Sequence, residues 1–191
     1  AVATYTGGTS TTPSAVNYTD STPSTTNSVA LYGANGRPHL SAPFTSLASG
    51  FNTTLANNYD SVITWSFNIK TARTTVMSSA SNTSYSDGSY SAAVVLGATS
   101  QNFLTPGTNG YVVIFQRSSV DATKNSVRLS TFTNGLVAGS AGATYANLIE
   151  SAAFASLIKS ISVKVTYNVY LGVWELFTRE DLSSTSFTDP L

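Results

Sequence analysis

Apolar and polar positions alternate with a period of two across residues 161–167. Ile161, Val163, Val165 and Tyr167 interleave with Ser162, Lys164 and Thr166, the mark of a strand with one face in a core. Residues 168–172 carry turn chemistry, and Val173-Trp174-Glu175-Leu176-Phe177-Thr178-Arg179 returns as a second strand, so a β-hairpin is expected. Upstream, residues 61–70 place Ile63, Trp65, Phe67 and Ile69 in one phase, with Trp65 as the core anchor. Residues 111–115 form a continuous apolar run, expected as a central strand covered on both faces. Further strands are expected at 29–32, 90–96 and 127–132, with Asn134-Gly135 as a tight-turn signal. One helix is expected within residues 145–158, where Leu148, Ile149, Ala152, Ala153 and Leu157 approach helical spacing.

Many short strands without alternating helices exclude a parallel α/β architecture. They predict an all-β, two-sheet antiparallel β-sandwich with at most one short helix. At 191 residues the chain is expected to form a single domain over 1–191, with the Ser/Thr-rich stretch 1–28 as an edge strand or linker. Trp65, Phe67, Val113, Leu129, Val165, Trp174 and Leu176 sit on the apolar phase of their strands and form the expected core.

Charged residues make up only 9% of the chain, nine of each sign, so carboxylate dyads and basic patches have little material to be built from. A net charge of zero and no basic stripe argue against nucleic acid as a partner. Ser and Thr supply roughly 30% of the residues, far above ordinary usage. Such a surface is kept wet by hydroxyls, as in many extracellular β-proteins. Cysteine is absent, which removes disulfides and thiolate metal sites. No apolar run reaches the length of a membrane-spanning helix. The chain opens Ala1-Val2-Ala3 without an initiator Met, pointing to a processed or excised segment of a longer protein.

Gly110-Tyr111-Val112-Val113, residues 127–136 from Val127-Arg128-Leu129 to Asn134-Gly135-Leu136, Val163 to Asn168, Trp174 to Asp181 and Phe187-Thr188-Asp189-Pro190 follow one another in a recognisable order. In this order and spacing the chain resembles the laminin-G-like, concanavalin-type jelly-roll modules of large secreted surface proteins of Bacteroidetes, over roughly residues 60–190. It departs from that pattern at Phe177, at Glu180-Asp181 and at Leu182, where Tyr, paired Asp and Gly are common. The resemblance implies a jelly-roll sandwich used for recognition, often of glycans, in a secreted or cell-surface protein.

Retaining glycosidases on such folds need two carboxylates about 5 to 5.5 Å apart, most simply delivered from alternating strand positions. No Glu-x-Asp-x-x-Glu run exists here. Glu175 alternates with apolar Val173 and Phe177, and the single histidine, His39, follows Pro38 in a loop. Catalysis is therefore not expected. Calcium takes six to eight oxygens; Asp87, Asp121 with Asn125, and Asp189 are the positions that could hold it, with turn capping as the competing role. For a glycan, Arg117 and Arg128 lie on consecutive strands, and Glu175 and Arg179 share a phase of the hairpin. Planar guanidinium suits vicinal hydroxyls or a uronate, and Tyr85 and Tyr90 are candidate stacking platforms. The competing account is that the four charged groups pair internally. The expected function is non-catalytic carbohydrate binding or adhesion by a module, monomeric in itself, of a larger secreted or surface protein. A structural spacer and a polysaccharide-active enzyme with an unfamiliar site are the alternatives.

Overall fold

Strands β10 (Ser160–Asn168) and β11 (Val173–Glu180) form the antiparallel hairpin that the alternation predicts, in continuous register from Ile161 opposite Glu180 to Asn168 opposite Val173. At the turn, Gly172 takes a left-handed φ of 66°, and the Asn168 side chain accepts from the Leu171 amide at 2.9 Å. The computed structural model describes residues 62–70, 76, 90–103, 105–136, 144–155, 160–181 and 189–190, together with the backbone of four short strands within residues 4–41.

The chain divides into two compact units, Ala1–Ser61 and Val62–Leu191. The first holds two antiparallel pairs: β1 (Thr4–Thr6) with β4 (His39–Ser41), and β2 (Ala15–Thr19) with β3 (Asn27–Leu31). In the second, β5 (Val62–Lys70) completes a three-stranded sheet in the order β11-β10-β5. β6 (Tyr90–Ala98), β7 (Gly110–Arg117), β8 (Asn125–Thr133) and β9 (Thr144–Glu150) make a four-stranded sheet in chain order.

The two antiparallel sheets pack face to face as a β-sandwich. Leu96, Val113, Phe115, Val127 and Leu129 of one meet Ile161, Val163 and Val165 of the other, closed by Phe154. Val113, Leu129 and Val165 are fully buried, as expected. Trp65, Phe67, Trp174 and Leu176 are half-buried and pack against this core from its margin. The opposite face of β7 is dry as well. Val112 and Ile114 pack with Phe132, Tyr145, Phe103 and Leu136, and the Leu136 amide donates to the Phe103 carbonyl at 2.8 Å, drawing the segment after β8 and the β6–β7 loop together. Across 112–115 the apolar run thus has the physical cause expected, a central strand with two buried faces, while Tyr111 at its start is exposed.

Residues 144–150 are a strand, not the expected helix. The register explains the misleading pattern: Leu129 faces Ile149 and Ser130 faces Asn147, so Leu148 is an extra residue in a β-bulge. The bulge breaks the period of two and sets Leu148 and Ile149 side by side, which imitates helical spacing. Beyond Glu150 the chain runs in irregular structure through Ala155.

Gly110, the first residue of β7, has no room for a side chain. A Cβ there would collide with the Gly97 carbonyl oxygen and the edge of the Phe132 ring. Gly110→Ala should therefore lower stability by about 1–3 kcal/mol, because backbone must move; a denaturant midpoint equal to that of the unsubstituted protein would refute this.

Candidate functional site

Residues directly opposite one another across an antiparallel ladder share a face, which fixes where each charged candidate stands. Asn68, Ser162 and Arg179 form one row on the outer face of the three-stranded sheet. Ser66, Lys164 and Phe177 form the next, and Thr64, Thr166 and Glu175 the third. This face is polar, and its groups are tied to one another. Glu175 accepts from the Thr166 hydroxyl at 2.7 Å. Lys164 pairs with Asp189 at 2.5 Å and lies 5.0 Å from the Phe177 ring centroid. Asp181 is buried and accepts from Asn68 at 2.9 Å and Ser162 at 2.5 Å, while Arg179 stands 3.6 Å from its other oxygen.

Arg117 and Arg128 are not brought together. Arg117 pairs with Asn125 in the phase of Val113 and Phe115, whereas Arg128 pairs with Ile114 on the opposite face of the sheet. Arg128 and Glu150 face each other across β8 and β9 at 3.1 Å, with side-chain exposures of 9% and 11%. With its amide oxygen turned toward the guanidinium, the orientation that satisfies both groups, Gln116 accepts from Arg128 Nε at 2.6 Å. Glu150 also accepts from the Ser119 amide at 2.8 Å and the Ser126 hydroxyl at 2.7 Å. Burial pushes the Glu150 carboxyl up, but the Ser119 and Ser126 donors and the Arg128 charge outweigh it and hold the group below the ordinary glutamate range. Arg128 is therefore a structural partner of Glu150.

Asp121 closes its own loop: Oδ1 accepts from the Thr123 amide at 2.9 Å and the Thr123 hydroxyl at 2.6 Å, and Lys124 lies 3.2 Å from Oδ2. Those two Thr123 bonds, ahead of Lys124, lower its pKa. Asn125 is fully buried in β8. Among the described residues no group of three or more His, Cys, Asp or Glu side chains is gathered to hold a metal. Tyr85 and Asp87 lie outside the described residues, as does the side chain of Tyr90, whose backbone opens β6 opposite Gln116.

What the fold does bring together is a group of aromatics at one end of the sandwich. Trp174 lies 4.4 Å from Tyr167 and 5.7 Å from Trp65, ring centroid to ring centroid, both stacked. Tyr111 reaches it from the other sheet at 4.6 Å with a 37° tilt. Tyr111 is in the same phase as Val113 and Phe115, which are 0% and 1% exposed, yet it is itself 37% exposed. Its row explains why: Gly97 and Thr131 flank it across the ladders, and Ala146 lies beyond Thr131. The small neighbours leave the phenol standing clear while Trp174 fixes its ring. At the same end the hairpin turn exposes Tyr170 at 68% and Leu171 at 64%.

Sequence reasoning expected Trp65 and Trp174 in the core, where they are half-buried at its margin, and missed Tyr111 as a surface group. The available signal was an aromatic with a polar tip at the first position of an otherwise aliphatic run, just after a glycine. No family model matches the sequence, and neither the curated proteins nor the solved structures hold a match to it. Among the described residues no helix is long and apolar enough to cross a membrane.

Proposed function

We propose that the chain is a non-catalytic carbohydrate-recognition module of a secreted or surface-exposed protein, and that it binds through the Tyr111–Trp174 ledge. The observation that carries this is Tyr111: an aromatic in tilted ring contact with Trp174, more than a third exposed, among small and hydroxyl-bearing neighbours. Pyranose rings present a C–H face that packs on such a platform, and a ring already packed against a neighbour loses little conformational freedom on binding. The hydroxyl-rich, charge-poor composition and the laminin-G-like motif order point the same way.

The non-catalytic part is supported by the described carboxylates: Asp121, Glu150, Glu175, Glu180, Asp181 and Asp189 each already hold a hydrogen-bond donor or a cation of this chain. Affinity electrophoresis through gels of soluble polysaccharides tests the reading. Tyr111→Ala should abolish retention while Tyr111→Phe keeps most of it, both with near-normal melting temperatures; retention unaffected by Tyr111→Ala would refute the ledge. The spacer reading is favoured by the self-satisfied outer face of the three-stranded sheet, and it predicts retention by no polysaccharide at all.

A further inference from the structure

We propose that the free edge of β11 pairs, antiparallel, with the same strand of a second copy of this chain, giving a two-fold dimer in place of the monomer expected from the sequence. This stands apart from the glycan-binding reading. The Asp181 amide donates to the Ser160 carbonyl at 2.9 Å, and hydrogen-bonded pairs alternate with non-bonded ones along an antiparallel ladder. Glu175, Phe177 and Arg179 therefore turn their amides and carbonyls toward β10, while Trp174, Leu176, Thr178 and Glu180 turn theirs away from it. Among the described strands β11 pairs with β10 alone. Its side chains show the same open flank: Leu176 is half-buried, whereas its cross-strand partner Val165, bracketed by β5 and β11, is fully buried. The register holds without a shift over all eight residues of the strand, so a second extended strand can bond along its length.

What selects a copy of this chain is the order of its own charges. On the outer face β11 carries Glu175, Phe177 and Arg179 at alternate positions. A two-fold axis at Phe177 sets Glu175 of each copy opposite Arg179 of the other, and Phe177 opposite its own counterpart. All three are non-hydrogen-bonded pairs, in which side chains approach most closely. The same register joins the outward groups of Trp174 to those of Glu180, and of Leu176 to those of Thr178. Any other placement loses both opposite-charge pairs, and an axis at Glu175 or Arg179 sets like charges against each other. Both side chains are exposed, with Arg179 at 55%. An interface of this kind uses one patch twice and so closes at two copies. β5, the other edge of the sheet, has a single charged residue along its length, Lys70, and no such self-complementary order.

The test is sedimentation equilibrium of the 191-residue chain from micromolar to millimolar concentration, which should follow a single monomer–dimer equilibrium. Glu175→Arg sets like charges against each other at both ends of the pairing and should weaken the dimer by at least about tenfold. Arg179→Glu should do the same. An equimolar mixture of the two variants restores both opposite-charge pairs and should recover the dimer, which also shows that both variants fold. Thr178→Pro, which removes an outward amide and leaves the β10 ladder intact, should abolish the dimer too and decides the matter if Arg179→Glu fails to fold. A chain that stays monomeric throughout, or that grows beyond two copies, overturns the inference. So does a dimer indifferent to Glu175→Arg or to Thr178→Pro, or a mixture of folded variants that does not associate.

Discussion

Arg128→Ala is expected to destabilise the sandwich by about 3–5 kcal/mol, the cost of leaving one member of a buried ion pair uncompensated. The guanidinium is fixed by Glu150 and Gln116 on the face that also carries Val112, Ile114 and Phe132. Its loss strands the carboxylate there with only the Ser119 and Ser126 donors. Arg128→Met with Glu150→Met should recover part of the deficit, since no unpaired charge then remains, and a double-mutant cycle in urea would read the coupling. Acid should reproduce the effect in graded form. The folded-state pKa of Glu150 is depressed, so its contribution is fully present above its unfolded value of about 4.3 and fades as pH falls through the lower folded value. Glu150→Gln should flatten that acid limb. Loss of glycan retention by Arg128→Ala at an unchanged melting temperature would instead make the guanidinium a ligand contact.

Trp174→Ala should cost about 3 kcal/mol or more, the range for deleting a large aromatic from a packed site. The indole touches Trp65 and Tyr167 in its own sheet and Tyr111 in the other, so its removal opens a void and unseats the ledge. Tyr111→Ala removes a ring that is already 37% exposed and should cost clearly less. The contrast separates the residue that supports the site from the one that forms it: chemical melts should show a large shift for Trp174→Ala and a small one for Tyr111→Ala, with retention lost in both. Equal shifts would contradict the assignment.

The hairpin and the central strand were legible because a single strand's pattern is local. Alternation at 161–167 reports one buried face, and the unbroken run at 111–115 reports two. Features that depend on register were not legible. Arg117 and Arg128 are close in sequence, but only the pairing of Arg117 with Asn125 and of Arg128 with Ile114 shows that they occupy opposite faces. Glu150 lay inside the stretch that imitates a helix, so its approach to Arg128 could not be anticipated. The exposure of Tyr111 follows from the smallness of Gly97, Thr131 and Ala146 on three other strands, information that no window along one strand contains.

The bulge at Leu148 bears on how the protein behaves in concentrated solution. β9 is an outer strand of its sheet, and a straight outer strand is an open template for another chain's backbone. Many β-proteins protect such edges with lysine, but this chain is only 9% charged with no net charge to keep copies apart. The extra residue after Asn147 puts the amides and carbonyls of β9 out of step, so an incoming strand cannot satisfy them in sequence. Resistance to edge-to-edge aggregation is thus built here into backbone geometry, where other sheets use repulsion.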